Sequence, residues 1–173
     1  MQIAMHKLAL ALVAAAEALA ESNQQPRRRI VVSIADRKLA VIEDGRVVKV
    51  FATAVGAART PTPPGNYIVV QRIPHPTWYT KRRVVPPGKA NPLGTRWIGL
   101  SRKGYGIHGT NSPRSIGRSA SHGCVRMHNT DVEELFEIIS VGDQVEIYER
   151  PTAEMAAIFR PLMASAALPH AVE

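Results

Sequence analysis

The sequence predicts a mainly β domain with one short helix late in the chain. Three observations carry this: short apolar runs of β type that begin at Ile30, an Asp44-Gly45 pair flanked by two of them, and a single stretch of helical spacing after Thr130. In order, Ile30, Val32 and Ile34 mark a first strand. Residues 39–42 and 47–51 flank Asp44-Gly45 and read as a hairpin, since Asp and Gly tolerate the positive φ of a two-residue turn. The Pro-rich connection Thr60-Pro61-Thr62-Pro63-Pro64-Gly65 leads to a strand over 67–73. Eight of the thirteen prolines fall between 61 and 92, which makes 74–94 a stiff loop. It carries Trp78, Tyr79, Lys81, Arg82 and Arg83 and is longer than a plain connection needs, so it is a candidate lid or binding loop, with a tolerated surface insertion the equal alternative. Strands are expected over 97–100 and 105–108. Thr130 with Glu133 forms a capping-box pattern before Val132, Leu135, Phe136 and Ile139, and Gly142 closes that helix. A strand over 144–148 follows, and the Ala-rich tail from Pro151 allows a C-terminal helix broken at Pro161.

The 173 residues suit one domain, large enough to bury about 70% of its unfolded surface without metals or staples. Cys124 is the single cysteine, so an intramolecular disulfide framework is excluded; the thiol is either an apolar filler or a reactive group. The net charge of +8 favours anionic partners without choosing among them. Nine scattered aromatic residues form no stacking platform, which argues against nucleic acid. At the N-terminus, Met1 to Lys7 is short with one positive charge, 8–16 is apolar, and Ala18-Leu19-Ala20 supplies a small-x-small cleavage pattern. Residues 1–20 therefore read as a signal peptide, with an N-terminal amphipathic helix as the alternative. The apolar run is too short to span a bilayer, so no transmembrane segment is expected in the mature form. Residues 21–29, ending Pro26-Arg27-Arg28-Arg29, have linker composition.

The chemistry is concentrated between Tyr105 and Asn129. Ser121-His122-Gly123-Cys124 holds the thiol, and His108 closes a β run sixteen residues earlier. A thiol of ordinary pKa is mostly protonated at neutral pH, so a nucleophilic Cys needs an imidazole or a cation nearby. His108, His122, Arg118 and Arg126 are all close in sequence, and the glycine-bearing turn offers backbone N–H groups to a developing oxyanion. His108, on a separate element, can meet the sulfur as a base, whereas His122 need not touch it in a tight turn. Because Gly109 has no side chain, it can orient the imidazole only through its carbonyl. A zinc site from His108, His122, Cys124 and His128 is the competing arrangement, but the ligand set is unusual and Arg118 and Arg126 would repel a dication.

Ile107-His108-Gly109-Thr110, Ser112-Pro113, Ile116-Gly117 and Ser121-His122-Gly123-Cys124-Val125-Arg126-Met127 together resemble the catalytic signature of the L,D-transpeptidase (YkuD-type) family. Thr60 to Gly65 resembles the family's Thr-Pro turn, and Asn91-Pro92-Leu93-Gly94 with Trp97-Ile98 its mid-domain segment. The resemblance implies a β-sandwich-like domain of mixed sheets over 30–150, with 151–173 as a tail. It implies Cys124 as nucleophile, His108 as base and Gly109 as its orienting acceptor. Ser121, His122, Gly123 and Arg126, with Trp78 and Tyr79 from the loop, are the expected substrate and oxyanion contacts. Roles played by Ser or Asn side chains at the positions of Gly109 and Arg126 in some members do not transfer. The expected activity is acyl transfer from a peptidoglycan stem tetrapeptide to an amine, with release of the terminal D-residue and no cofactor or metal. The partners expected are stem peptides, with an envelope lipoprotein as one acceptor, and the location is the periplasm or cell envelope. Water as acceptor would make it an L,D-carboxypeptidase; a non-catalytic wall-binding module is the remaining alternative.

Overall fold

The structure, a computed structural model, describes residues 28–159. The expected signal peptide, most of the expected linker and Pro161 lie outside the described residues. The strands are β1 Arg28–Ser33, β2 Lys38–Glu43, β3 Arg46–Ala52, β4 Val55–Gly56, β5 Gly65–Pro74, β6 Trp78–Tyr79, β7 Val84–Val85, β8 Arg96–Leu100, β9 Gly106–His108, β10 Ser119–Ser121, β11 Val125–Arg126 and β12 Gln144–Tyr148. Two helices accompany them, α1 Asn129–Ile138 and α2 Ala153–Phe159. Eight strands form one mixed sheet in the order β11-β9-β8-β5-β12-β1-β2-β3, with small two-stranded ribbons β10-β4 and β6-β7 beside it. The chain is thus mainly β, as expected, and the sheet is curled around its core.

β1 starts two residues earlier than Ile30, inside the stretch of linker composition. Arg28 donates from Nε to Glu43 Oε1 at 2.7 Å, and Arg29 pairs with Glu146 and Glu154 at 2.8 and 2.7 Å. Backbone pairing with β2 and β12, which no local pattern reveals, makes this basic run a strand, and the carboxylates accommodate its charges. The β2–β3 hairpin turns at Asp44 and Gly45, with φ of 48° and 77°, the left-handed pair that a two-residue hairpin turn requires.

The main core joins the inner face of the sheet to α1: Ile30, Val32, Leu39, Val41, Ile98, Ile107, Val125, Val132, Leu135 and Ile139 are buried together. A second cluster lies on the opposite face, where Met155, Ile158 and Phe159 of α2 cover Val31, Ala40 and Ile42. β1 and β2 are therefore buried on both faces, which accounts for the unbroken apolar run Ile30-Val31-Val32.

The capping box is not formed. His128 is the N-cap of α1 without a side-chain capping bond, Thr130 Oγ1 contacts Asp131 Oδ1 at 3.2 Å, and Glu133 lies near Arg96. The helix begins earlier than expected, and Asn129, its first residue, accepts from the Thr110 amide two residues beyond β9. It also ends at Ile138, four residues before Gly142. Arg72 and Arg28 donate to the carbonyls of Phe136 and Ile138, so arginines from the sheet satisfy its last turn.

Candidate active site

β11 runs parallel to β9 with Val125 opposite Ile107 and Arg126 opposite His108. Cys124 immediately precedes β11, level with Gly106 at the start of β9 and two residues before Arg126, the residue opposite His108. Cys124 and His108 line a cavity of about 750 Å³ together with Ser121, His122, Arg126, Trp78 and Tyr79.

His108 is buried, at 5% exposure. Its Nδ1 lies 2.6 Å from the carbonyl oxygen of Gly109. A carbonyl can only accept, so Nδ1 carries the proton and Nε2 is left with a lone pair. Burial lowers the His108 pKa to about 4; the Gly109 bond opposes this and the Arg126 charge adds to it. The ring is therefore neutral at pH 7. Burial also pushes the Cys124 thiol up, against the opposing pull of a Gly106 backbone bond and the Arg126 charge. The two groups accordingly rest as thiol and neutral imidazole, with proton transfer reserved for the moment of attack.

The turn before the thiol is held from within. Ser121 Oγ donates to the carbonyl of Cys124 at 2.5 Å and accepts from the amide of Gly123 at 3.0 Å. The Ser121 carbonyl takes bonds from the Ala57 amide and Thr60 Oγ1 at 2.9 and 3.0 Å. Gly123 has φ of +109°, and a Cβ there would lie 2.9 Å from the Tyr105 ring and 3.3 Å from the Pro61 carbonyl, so only glycine fits against the Thr-Pro turn. The Gly123 amide, expected to face an oxyanion, is thus already bonded inside the turn. Ser121 likewise spends its hydroxyl on the turn, although it reaches the cavity wall. The amide of Cys124 itself makes no hydrogen bond among the described residues.

Arg126 is half-buried, and its Nε is buried without a hydrogen-bond partner. Burial lowers its pKa, with Cys124 opposing. A guanidinium in a cavity with an unmatched donor suits a carboxylate. Arg118 is exposed and stands away from the cavity lining. His128 lines a different cavity, of about 570 Å³, beyond the 91–94 turn. The four zinc ligands considered from sequence are therefore not assembled at one point.

The Pro-rich segment is not a plain loop. It contains the β6–β7 ribbon, with Trp78 opposite Val85 and Tyr79 opposite Val84, closed by a turn in which Thr80 Oγ1 accepts from the Arg83 amide at 2.9 Å. Trp78 and Tyr79 reach the cavity, while Lys81, Arg82 and Arg83 are exposed at the tip. The ribbon is tied at its base by Asn91, wholly buried, whose Nδ2 lies 2.7, 3.1 and 3.2 Å from the carbonyls of Pro76, Val85 and Pro86. Asn91 Oδ1 accepts from the Leu93 amide at 2.9 Å.

Three residues of the site escaped sequence reasoning as functional candidates. Asn91 had only its place in a familiar-looking segment. Asn129 Oδ1 accepts from the Thr110 amide at 3.0 Å and so fixes the backbone just after Gly109. Trp97, which the sequence offers as a strand residue and as part of the same mid-domain segment, stacks on His108 with ring centroids 5.7 Å apart.

Residues 27–147 match the family profile described as YkuD, L,D-transpeptidase catalytic domain. A Bacillus licheniformis protein named as the L,D-transpeptidase YkuD is 44% identical over 119 residues, covering 69% of this chain and 64% of its own length. An Escherichia coli protein named as the L,D-transpeptidase ErfK/SrfK is 36% identical over 141 residues, covering 72% of this chain and 45% of its own length. This chain thus spans less than two thirds of these two curated relatives. Among solved structures, L,D-transpeptidase 3 from Mycobacterium tuberculosis in complex with a faropenem-derived adduct matches with a TM-score of 0.59 and 23% identity, covering 72% of this chain and 61% of that one. At that identity the likeness establishes the fold.

Proposed function

Given that this chain belongs to the L,D-transpeptidase catalytic domain family, we propose that it transfers an acyl group from a peptidoglycan stem tetrapeptide to an amine through a thioester on Cys124. The observation that carries this reading is the shared cavity of Cys124, His108 and Arg126, with the His108 tautomer set by the Gly109 carbonyl.

The stem enters with a free carboxylate against Arg126 and its apolar parts against Trp78 and Tyr79. Sγ of Cys124 attacks the carbonyl carbon that precedes the terminal D-residue while His108 Nε2 takes the thiol proton. The oxyanion is held by the Cys124 amide, the donor in the turn with no other partner. The C–N bond then breaks, His108 returns the proton to the leaving amine, and D-alanine departs. In the second half an acceptor amine attacks the thioester, His108 takes one of its protons, and the C–S bond breaks to restore the thiol. A neutral base at pH 7 is what both halves require, and burial of His108 supplies it.

The acceptor decides the product. An amine of a second stem gives a crosslink, an envelope lipoprotein amine gives anchoring, and water gives a shortened stem. The tail 151–173 has no assigned part in this chemistry. We place the protein in the periplasm or cell envelope, because its substrate is there and residues 1–20 carry an export pattern. No helix among the described residues is long and apolar enough to cross a membrane.

The test is incubation of the full chain with disaccharide-tetrapeptides, followed by mass spectrometry of the products. Loss of one D-alanine on dimer formation is the expected result. Shortened monomers alone would make it a carboxypeptidase, and unchanged substrate with retained wall binding would make it a non-catalytic module.

A further inference from the structure

Trp97 of β8 stands opposite His108 of β9, and the next pair but one along this ladder is Gly99 opposite Gly106. Neither glycine has a positive φ, so conformational freedom does not explain them. Space does. A Cβ on Gly106 would lie 2.7 and 2.8 Å from Cη2 and Cζ2 of Trp97 and 2.6 Å from the Ile98 carbonyl oxygen, and one on Gly99 would lie 3.1 Å from the indole Nε1 and from Gln71 Cβ. The indole is thus bedded on a cross-strand pair of glycines, and it meets the His108 ring with centroids 5.7 Å apart and planes 26° apart.

The Gly109 carbonyl holds the imidazole at one atom only. A ring held at one atom can still rock about that bond, and a stacked face removes the motion. Resting on the reading of His108 as the base, we propose that Trp97 is a positioning residue whose indole, bedded on Gly99 and Gly106, holds the His108 ring plane so that Nδ1 stays on the Gly109 carbonyl while Nε2 serves Cys124. The same indole keeps water from one face of the imidazole, consistent with the burial that lowers its pKa. The charged and titratable groups on this side are Arg126 opposite His108 on β11, Cys124 and His122 in the turn before it, and Tyr79 from the ribbon. β8 adds only the neutral indole here, because Arg96 turns to the Phe136 ring of α1.

The experiment compares wild type, W97F and W97L as full chains. Two readouts are taken: NMR titration of the His108 imidazole, which needs no turnover, and the pH profile of kcat and KM with the tetrapeptide donor. In W97L the His108 pKa should rise towards its ordinary value, the acidic limb of kcat/KM should move with it, and kcat should fall on the order of tenfold. W97F, which keeps a stacking face, should restore most of both. A W97L protein that changes KM alone, with His108 titrating as in wild type, overturns the proposal and leaves Trp97 as cavity wall. So does a folded W97F no better than W97L. Should W97L fail to fold, the wild type still decides, because a stacked indole must shift the His108 C–H resonances upfield and an unshifted pair overturns the assignment. Failure of the underlying reading looks different: H108A would retain turnover while the titrations of wild type and W97L still differed.

Discussion

His108 donates from Nδ1 to the carbonyl oxygen of Gly109, its own chain neighbour, across 2.6 Å. The orienting acceptor of the base is thus a main-chain atom, placed by whatever holds the peptide after Gly109. That peptide is held by Asn129, whose Oδ1 accepts from the Thr110 amide.

Gly109 should therefore tolerate no side chain. A Cβ there would run into Asn129 Oδ1 and come within 3.1 Å of the Thr95 amide. G109A should lower kcat by one to two orders of magnitude, on the order of what a small misplacement of a catalytic group costs. The bond it disturbs can be probed separately, since N129A alone should reduce kcat with little change in donor KM. Steady-state kinetics on both variants check this, and a fully active G109A would refute it.

Burial of neutral His108 makes stability depend on pH. Its pKa is about 4 in the folded protein against an ordinary 6.5, so between these values the unfolded chain binds more protons. The contribution is complete above pH 6.5 and is lost as pH falls through 6.5 towards 4, amounting to about 3 kcal/mol over the whole window. Urea denaturation of wild type and H108N at several pH values should show the wild type losing more stability on acidification. Parallel curves would contradict the burial argument.

Removing the nucleophile should abolish turnover while leaving the fold intact. C124A and H108A should both be inactive, and H122A, whose side chain is exposed, should be affected less. The thioester step also implies that a carbapenem adds covalently to Cys124. Intact-protein mass spectrometry should find one adduct on the wild type and none on C124A; an adduct that persists in C124A would place the acylation elsewhere.

Arg126 should act on both thiol and donor. Its charge pulls the Cys124 pKa down against the effect of burial, so its loss should let that pKa rise. R126Q should shift the pH at which iodoacetamide alkylates Cys124 to higher values and raise the donor KM, the former read by alkylation rates and the latter by kinetics. A shift to lower pH would reverse the electrostatic assignment.

The ribbon should respond at three places. W78A should move product from crosslink towards hydrolysis, because an aromatic wall over the thioester is lost. Neutralising Lys81, Arg82 and Arg83 should raise donor KM at low salt and lose that effect at high salt, since these exposed cations act over distance. N91A, which strands several buried backbone groups, should cost about 2 kcal/mol or more of stability and also favour hydrolysis. Product ratios by mass spectrometry and thermal melts decide, and unchanged ratios in W78A and N91A would reduce the ribbon to surface.

By itself the sequence determined the elements and the reagents. Local rules suffice for a hairpin at Asp44-Gly45, for strands in apolar runs, and for the chemical pairing of the only cysteine with histidines in one short region. These follow from backbone preference and side-chain chemistry, which are properties of neighbours in the chain. Only the tertiary structure decided what touches what. Arg28 and Arg29 belong to β1 because its backbone pairs with β2 and β12, whose carboxylates, with that of Glu154, also take up the two charges. The capping pattern at Thr130 is idle, because the N-cap falls two residues earlier at His128 and Asn129, the first helical residue, accepts from the Thr110 amide. The parallel register of β9 and β11 set His108 opposite Arg126, so that it lines one cavity with Cys124 two residues back, while the Ser121 and Gly123 groups of the turn are consumed in shaping it. Such roles depend on contacts between residues far apart in the chain, and no local window of sequence encodes a partner that folding alone delivers.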